Sequence, residues 1–197
     1  MKSLSRFFVP KRLLAVLIAL LCAVGAILYF ARSPRQQDFD LTRSLSALSG
    51  SFSTTISMQL PNFQTQAQYT QTYIGNCSFT FTSPPSLDGF TVTLQDGEVL
   101  LSFAGLDCAV SSSELFEQSG AGKFCSVMKA LSAGQGIESE QTEEGTKLSF
   151  YTESGSPCTV LLDAQSGALL GATLGDDCSF SFEDFSFAPQ TAAQQAT

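Results

Sequence analysis

Cysteine and carboxylate side chains are the groups in this sequence with the potential for chemistry. The 197-residue chain has six cysteines, eighteen Asp and Glu residues and no histidine. Without histidine, the usual general base, the Ser-His-Asp and Cys-His catalytic arrangements and the commonest zinc ligand are all missing. The sequence therefore predicts no catalytic site, no metal site and no cofactor. An enzyme that uses carboxylates alone is the least favoured function.

The acidic residues cluster in two places, and paired carboxylates are groups that can act as acid and base or bind calcium. Four glutamates fall within residues 138–144, in a glycine-flanked stretch, and two aspartates stand at positions 176–177, in a predicted turn. Neither stretch has the loop template of a calcium site, because oxygen ligands alone specify little. We interpret both clusters as solvated surface groups.

Five cysteines lie beyond the N-terminal apolar segment, and five is an odd number, so at least one cannot pair within the chain. They are Cys77, Cys108, Cys125, Cys158 and Cys178. The absence of a Cys-x-x-Cys motif argues against zinc binding and thioredoxin-like redox chemistry. Cys158 and Cys178 begin strands that flank a third strand, about 9 to 10 Å apart, which is too far for a disulfide. Cys108 with Cys125 is the predicted disulfide, and the alternative is that all five are buried thiols.

The elements that must position these groups are mainly strands. Apolar and polar residues alternate with period two, as in Cys77, Phe79 and Phe81, which is typical of half-buried antiparallel strands. The same alternation occurs in 90–94, 99–103, 147–152, 158–163, 168–174 and 178–187. The dipeptide Asp96-Gly97 has the composition of a tight hairpin turn. The sequence predicts a mainly β (α+β) domain built from a meander of neighbouring strands.

Two further features shape the predicted sheet at its ends. A short helix opens the domain, with Asp40 as its cap, three leucines on one face and Gly50 at its end. In the last strand, Phe180 and Phe182 are out of phase with the later pair Phe185 and Phe187. This change of phase predicts a bulge at residues 183–184 that bends the strand.

A helical insert separates the two groups of strands. Four apolar residues have the spacing of an amphipathic helix, namely Phe124, Val127, Met128 and Leu131. A shorter turn precedes this helix, beginning at Ser111 with Glu114 as the second member of a capping box. Gly120 and Gly122 are expected to interrupt the two pieces. The insert is predicted to cover one face of the sheet.

Residues 13–31 form an apolar run of nineteen residues without a charge, which is about the span of a bilayer core. Residues 1–35 carry six basic residues and no acid, so the positive-inside rule keeps the N-terminus in the cytoplasm. We predict five segments. They are a cytoplasmic basic segment (1–12), a transmembrane anchor (13–31), a linker (32–39), an extracytoplasmic domain (40–188) and a disordered tail (189–197). A cleaved signal followed by secretion, or lipidation of Cys22, are the alternatives.

The charge of the outer part limits its partners. Beyond residue 35 there are four basic residues and all eighteen acids, a net charge of −14. Such a surface repels phosphate backbones, because nucleic-acid affinity depends on Lys and Arg. DNA and RNA are therefore excluded as partners, and the acidity is interpreted as a solvated surface.

Phenylalanine is the most informative apolar residue, with seventeen copies. The inward strand positions and the helical insert bring together nine candidate ligand-lining residues. They are Phe79, Phe81, Phe90, Val92, Phe103, Phe124, Met128, Phe180 and Phe182. Large apolar side chains on an inward face are most often packed against something, so an ordinary core is the preferred interpretation of this set. A lipid cavity is the alternative.

The layout resembles the LolA-like lipoprotein-carrier superfamily, including its membrane-attached members in Gram-positive envelopes. Three stretches carry the resemblance: the helix and strand at 41–60, the segment SPPSLDGFTVTLQDGEVLLSFAGL at 83–106, and the run VLLDAQSGALLGATLGDDCSFSFEDFSF at 160–187. The resemblance implies an incomplete, strongly curved antiparallel barrel with helices closing its concave face. It also implies that this concavity holds acyl chains or other apolar ligands.

Two functions follow from these observations. The first is a membrane-tethered, non-enzymatic domain that binds an acyl chain, a lipid or a lipoprotein anchor in the concave face of its sheet. The second is an envelope or sporulation-related scaffold with a filled core, which recognises a partner protein by its surface. A shuttling carrier must diffuse freely, so the predicted anchor argues against a true shuttle.

Overall fold

The structure is a computed structural model and describes residues 40–110 and 113–188. The predicted basic segment, membrane helix and linker (1–39), the predicted tail (189–197) and Ser111 of the predicted capping box lie outside the described residues. In the part of the chain that is described, no helix combines the length and the apolar composition needed to cross a bilayer.

The described residues form three helices and eleven strands. The helices are α1 (Leu41–Ser49), α2 (Ser113–Gln118) and α3 (Gly120–Ala133), and a short 3-10 turn covers Pro85–Leu87. The first six strands are β1 (Phe52–Leu60), β2 (Phe63–Tyr73), β3 (Asn76–Ser83), β4 (Thr91–Gln95), β5 (Glu98–Phe103) and β6 (Leu106–Val110). The other five are β7 (Glu138–Gln141), β8 (Thr146–Tyr151), β9 (Pro157–Leu162), β10 (Leu169–Leu174) and β11 (Cys178–Phe187).

All eleven strands belong to one curved, unclosed antiparallel sheet in the order β6-β5-β4-β3-β2-β1-β11-β10-β9-β8-β7. The first and last strands pair at its centre, and β6 and β7 are its edges. The chain that joins these two edges carries α2 and α3. The predicted mainly β fold with a curved antiparallel sheet and covering helices is therefore confirmed, although β2, β6 and β7 were not predicted.

The predicted turns and bulge have the expected backbone. Asp96 and Gly97, with φ angles of 52° and 87°, both adopt the left-handed conformation of a tight hairpin turn between β4 and β5. In β11 the register with β1 shifts next to Asp184, which has a φ of 52°. The Thr54 hydroxyl donates a 2.8 Å hydrogen bond to the Glu183 carbonyl at this point. The bulge turns Phe185 inward, where it stacks on the buried ring of Phe52.

Helix α1 begins and ends as the sequence predicts. The Asp40 carboxylate accepts a 3.0 Å hydrogen bond from the Arg43 amide, and the Gly50 amide bonds the Ala47 carbonyl. The end of the helix is tied to the sheet by Gln71 of β2. Its side-chain amide donates to the carbonyls of Leu48 and Gly50, each at 2.8 Å.

Helix α3 contains the predicted amphipathic helix, but it starts earlier than predicted. Gly120 and Gly122, expected to interrupt the two helical pieces, lie inside its first turn. The break falls at Ser119 instead, whose hydroxyl accepts from the Gly122 amide at 3.1 Å and donates to the Phe116 carbonyl at 2.6 Å. Gly122 is required by this close approach, because a Cβ there would overlap the Phe116 carbonyl oxygen.

Candidate functional site

A cavity of about 1070 Å³ lies between α2, α3 and the sheet. Its walls are the neighbouring ends of β2 to β6, one side of the two helices, and the turn between β8 and β9. The apolar residues that line it are Tyr69, Ile74, Cys77, Leu94, Val99, Ala109, Val110, Phe116, Cys125, Met128 and Leu174. Pockets that bind small molecules usually enclose about 300 to 1,000 Å³ and are mostly apolar, so this cavity has the size and lining of a ligand site.

Helix α3 lies between the cavity and the core, and its two faces carry different side chains. The cavity face contains Gly122, Cys125, Ser126 and Lys129, which follow the i, i+3, i+4, i+7 spacing of one helical side, together with Lys123 and Met128. The core face consists of Phe124, Val127 and Leu131, all fully buried. The small side chains of Cys125 and Ser126 leave space on the cavity face, whereas Gly122 is packed against the Phe116 carbonyl.

Beneath the core face, the rings form an aromatic cluster around Phe124. The ring centroid of Phe124 is 5.1 Å from that of Tyr69, in an edge-on arrangement, and 5.4 and 5.6 Å from those of Phe180 and Phe182. Tyr69 and Phe79 are 4.8 Å apart. Four of the predicted lining residues are thus packed on one another, which is the arrangement of an ordinary core.

A second aromatic row leads from the core to the open edge of the sheet. Phe81 and Phe90 have centroids 5.8 Å apart, and Phe90 and Phe103 are 6.2 Å apart. Exposure rises along the row from 8% at Phe81 to 48% at Phe103, and Leu106, paired with Phe103 on the edge strand, is 77% exposed. The inner face of the sheet is therefore uncovered where β5 ends and β6 begins, whereas Val99 at the other end of β5 is buried.

Two more predicted lining residues lie near these regions. Val92 is buried on β4 opposite Phe79, and Met128 of α3 is buried at the cavity wall. In the described part of the chain, Met128 is the one member of the predicted set that lines the cavity. That these nine residues contact a ligand remains a prediction.

Tyr69 lies where the aromatic cluster meets the cavity, and Gln71 fixes its position. The Tyr69 hydroxyl donates a 2.8 Å hydrogen bond to the side-chain oxygen of Gln71, which is itself anchored to α1. Burial, and then the nearby thiols of Cys77 and Cys125, raise the pKa of Tyr69. The phenol therefore stays neutral at physiological pH, and its hydroxyl proton is used in the hydrogen bond to Gln71.

Charged residues of both signs border the cavity. They are Glu98, Glu117, Lys123, Lys129 and Glu153. Lys129 and Glu153 form a 2.8 Å ion pair with largely exposed side chains, so the pair marks the rim and contributes little to stability. A ligand with an apolar tail and a polar head would have its tail in the apolar interior and its head at this rim.

The thiols are arranged differently from the prediction. Cys125 of α3 lies beside Cys77 of β3, with 3.6 Å between the sulfur atoms, and both are free thiols. Cys108, the expected partner of Cys125, is also free and lies exposed on the edge strand β6. The structure therefore does not join the predicted pair, because α3 turns Cys125 toward the centre of the sheet and not toward its edge.

Cys158 and Cys178 are separated as the sequence predicts. Both pair with Leu174, from opposite sides of β10, so one whole strand lies between them. Burial raises the pKa of Cys158 to about 11, and burial also raises the pKa of Cys178. The two thiols are therefore poorly reactive single cysteines.

Sequence reasoning missed the β2 wall of the site. Its inward residues include Thr65 and Gln71 beside Ala67 and Tyr69, so both faces of the strand contain polar residues. A usable signal was nevertheless present, because glutamine occupies every second position from Gln64 to Gln68 and marks the outer face.

No protein-family model matches the chain, and no curated protein matches it. Solved structures do resemble it. A conserved protein from Thermus thermophilus is 12% identical, with 79% of this chain and 90% of that chain covered, and has a TM-score of 0.50. A LolA superfamily protein from Nitrosomonas europaea is 12% identical, with 77% of this chain and 94% of that chain covered, and has a TM-score of 0.41. LprF from Mycobacterium bovis is 14% identical, with 81% of this chain and 96% of that chain covered, and has a TM-score of 0.38. At these identities, the Thermus thermophilus match shows the fold alone.

Proposed function

We propose that this chain is a membrane-tethered, extracytoplasmic, LolA-like binding domain that takes an apolar ligand into the cavity beneath α2 and α3. The ligand class is an acyl chain, carried by a lipid or by a lipoprotein anchor. The cavity of about 1070 Å³ with its apolar lining is the observation that supports this proposal. Residues 13–31 serve as the tether, and the domain has no catalytic role.

The energetic argument rests on the lining. Each buried methylene group of an acyl chain contributes about 0.8 kcal/mol to binding, so a long chain gains much from an apolar cavity of this size. Met128, Val99 and Leu94 supply aliphatic contact surface. The rim residues leave the polar head in water, where it loses no hydration.

The predicted lining residues take different roles in this proposal. Met128 contacts the ligand directly in the cavity. The packed rings of Phe79, Phe124, Phe180 and Phe182 form the rigid floor beside it. The row Phe81, Phe90 and Phe103 offers apolar surface to an approaching ligand at its exposed end, Phe103, and Val92 belongs to the buried core on β4.

Photo-cross-linking of the full chain in lipid nanodiscs tests the proposal. A fatty acid with a terminal diazirine is added, irradiated, and its attachment sites are mapped by mass spectrometry. Ser126→Trp places a large ring on the cavity face. Ser132→Trp is the matched control, because Ser132 is on the same helix, its hydroxyl also donates to the carbonyl three residues earlier, and it does not line the cavity.

We expect labels on Met128, Phe116 or their neighbours in the cavity wall. Ser126→Trp should reduce this labelling at least about fivefold, a difference of about 1 kcal/mol, whereas Ser132→Trp should leave it unchanged. Labels confined to residues 13–31, or equal labelling of the two variants, would reject the proposal.

The exposed edge supports a second candidate, a scaffold that binds an envelope protein. β6 is an edge strand with unpaired backbone groups, and Phe103 and Leu106 expose apolar surface beside it. Cross-linking in native membranes followed by purification should then recover one dominant partner protein, and Leu106→Asp should abolish its recovery. Recovery of lipid alone would reject this candidate.

A further inference from the structure

The contact between Cys77 and Cys125 joins two elements that are distant in sequence. Cys77 lies on β3 and Cys125 on α3, 48 residues later, with their sulfur atoms 3.6 Å apart. Both residues line the cavity, so a small reagent in the cavity reaches the pair although Cys77 is only 7% exposed. The sulfur atoms need to approach by about 1.5 Å to reach bonding distance, a movement within the range of side-chain rotation.

We propose that Cys77 and Cys125 are a redox-active pair, which a low-molecular-weight disulfide in the cavity converts into a disulfide bond that clamps α3 to β3. The proposal uses the cavity as a route of access and does not depend on the identity of its ligand.

The reaction proceeds by two thiol–disulfide exchanges. The Cys77 thiolate attacks one sulfur of the small disulfide, which forms a mixed disulfide and releases one small thiol. The Cys125 thiolate then attacks the Cys77 sulfur, which forms the Cys77–Cys125 bond and releases the second small thiol. The two protein protons end on the two released thiols, and the small disulfide is reduced by the two electrons that the protein thiols lose.

The contact with Cys125 favours Cys77 as the attacking thiol. The sulfur atoms are within hydrogen-bond distance, and hydrogen bonding with Cys125 lowers the pKa of Cys77, although burial opposes this shift. The same hydrogen bond, together with burial, raises the pKa of Cys125. A neighbouring S–H donor thus favours the Cys77 thiolate, which is the reactive form.

The other three cysteines of the described residues form no second pair of neighbouring thiols. Cys158 and Cys178 are kept apart by β10, and burial raises the pKa of each. Cys108 lies on the exposed edge strand β6. The five cysteines beyond the N-terminal apolar segment are thus one pair, two buried single thiols and one exposed thiol.

The bond would act on the element that separates core from cavity. Gly122 and Ser126 flank Cys125 on the cavity face, so a bond from Cys125 to β3 restricts movement of α3 relative to the sheet. The oxidised protein should also be more stable, because the bond closes a long loop in the unfolded chain. From the usual stabilisation by such bonds, we expect Tm to rise by roughly 5 to 15 °C.

The experiment uses the full chain with Cys22→Ser, so that the five outer cysteines remain. The folded protein is incubated with bis(2-hydroxyethyl) disulfide, free thiols are then blocked with a maleimide, and the disulfide-linked peptides are identified by mass spectrometry. Cys125→Ala and Cys77→Ala each remove one partner. Cys108→Ser is the matched control.

We expect a mass loss of about 2 Da from two thiols, a peptide joining Cys77 to Cys125, and the rise in Tm. All three should persist in Cys108→Ser and disappear in the two alanine variants. Blocking of all five thiols by maleimide, a bond between any other two cysteines, or a bond that forms only in urea would overturn the proposal. If one alanine variant fails to fold, the linked peptide in the Cys108→Ser protein still decides between these outcomes.

Discussion

The two faces of α3 differ in packing although they belong to one helix. The core face places Phe124 within 5.1 to 5.6 Å of three other rings, whereas the cavity face places Gly122, Cys125 and Ser126 beside a space of about 1070 Å³. Large aromatic and aliphatic side chains fill the core beneath one face, whereas the small side chains of Cys125 and Ser126 border the cavity on the other. The difference in side-chain volume between the two faces therefore accompanies the difference in packing.

The largest expected effect comes from breaking the core face. Phe124→Ala removes the central ring of the aromatic cluster and should lower the free energy of unfolding by about 3 to 5 kcal/mol. The chain has no tryptophan, so urea unfolding of the full chain in micelles is followed by tyrosine fluorescence. Ser126→Ala, on the cavity face, should change the value by less than about 0.5 kcal/mol. Equal losses in the two variants would contradict the comparison.

The next effect concerns the junction of α2 and α3. Gly122→Ala forces a methyl group into the Phe116 carbonyl and should cost about 1 to 3 kcal/mol of stability, measured by the same urea unfolding. Gly120→Ala is a matched control, because its methyl group meets only the flexible ends of Leu60 and Met58 at 3.3 Å. We expect that control to be neutral or slightly stabilising. A cost in Gly120→Ala equal to that in Gly122→Ala would show that the close approach is not the cause.

The third prediction concerns Gln71, which fixes Tyr69 between the aromatic cluster and the cavity. Gln71→Leu removes two hydrogen bonds to α1 and leaves the buried Tyr69 hydroxyl without its acceptor, which should cost about 1 to 3 kcal/mol. Gln68→Leu changes an outward residue of the same strand and should change stability by less than about 0.5 kcal/mol. Thermal unfolding followed by circular dichroism measures both. If Gln71→Leu is neutral, the polar anchor is unnecessary for the cavity wall.

The smallest expected effect on stability concerns Asp163 in the β9–β10 turn. This turn is not part of α3 and serves as a reference for the two faces of that helix. Hydrogen bonds from Ser166 lower the pKa of Asp163 below its unfolded value, so Asp163 adds stability above about pH 4 and loses it as the pH falls through the folded pKa. Against Asp163→Asn, wild type should have a Tm higher by less than about 3 °C at pH 6, and this difference should shrink as the pH falls through the folded pKa. An advantage that grows on acidification would reverse the sign of this argument.

The sequence predicted those strands whose inward residues are apolar and whose outward residues are polar, as in β3 and β11. It failed for β2, whose inward face includes Gln71, and for β6 and β7, whose residues are mostly exposed because edge strands have one neighbour only. Alternation of apolar with polar residues does not mark such strands, although the alternating glutamines of β2 were a usable signal.

The candidate site was less predictable than the fold. The sequence identified the aromatic residues, which fill space, but the α3 wall of the cavity includes residues with small side chains, such as Cys125 and Ser126, and these have no signature of their own. The predicted pairing of Cys108 with Cys125 differs from the structure for a related reason. Which cysteine faces Cys125 depends on how α3 lies across the sheet, and no spacing within the chain encodes that orientation.

The pairing of β1 with β11 has a consequence for how the domain is made. The two halves of the sheet are sequential meanders whose hairpins can form early, but the seam that unites them needs the last ten-residue strand. Contacts between chain ends form slowly, because a long loop must close first. The ribosome releases β1 first and β11 last. A chain that lacks β11 would therefore have two separate half-sheets, each with an additional edge strand whose backbone groups are unpaired. The order of the strands thus makes the complete sheet depend on its C-terminal strand.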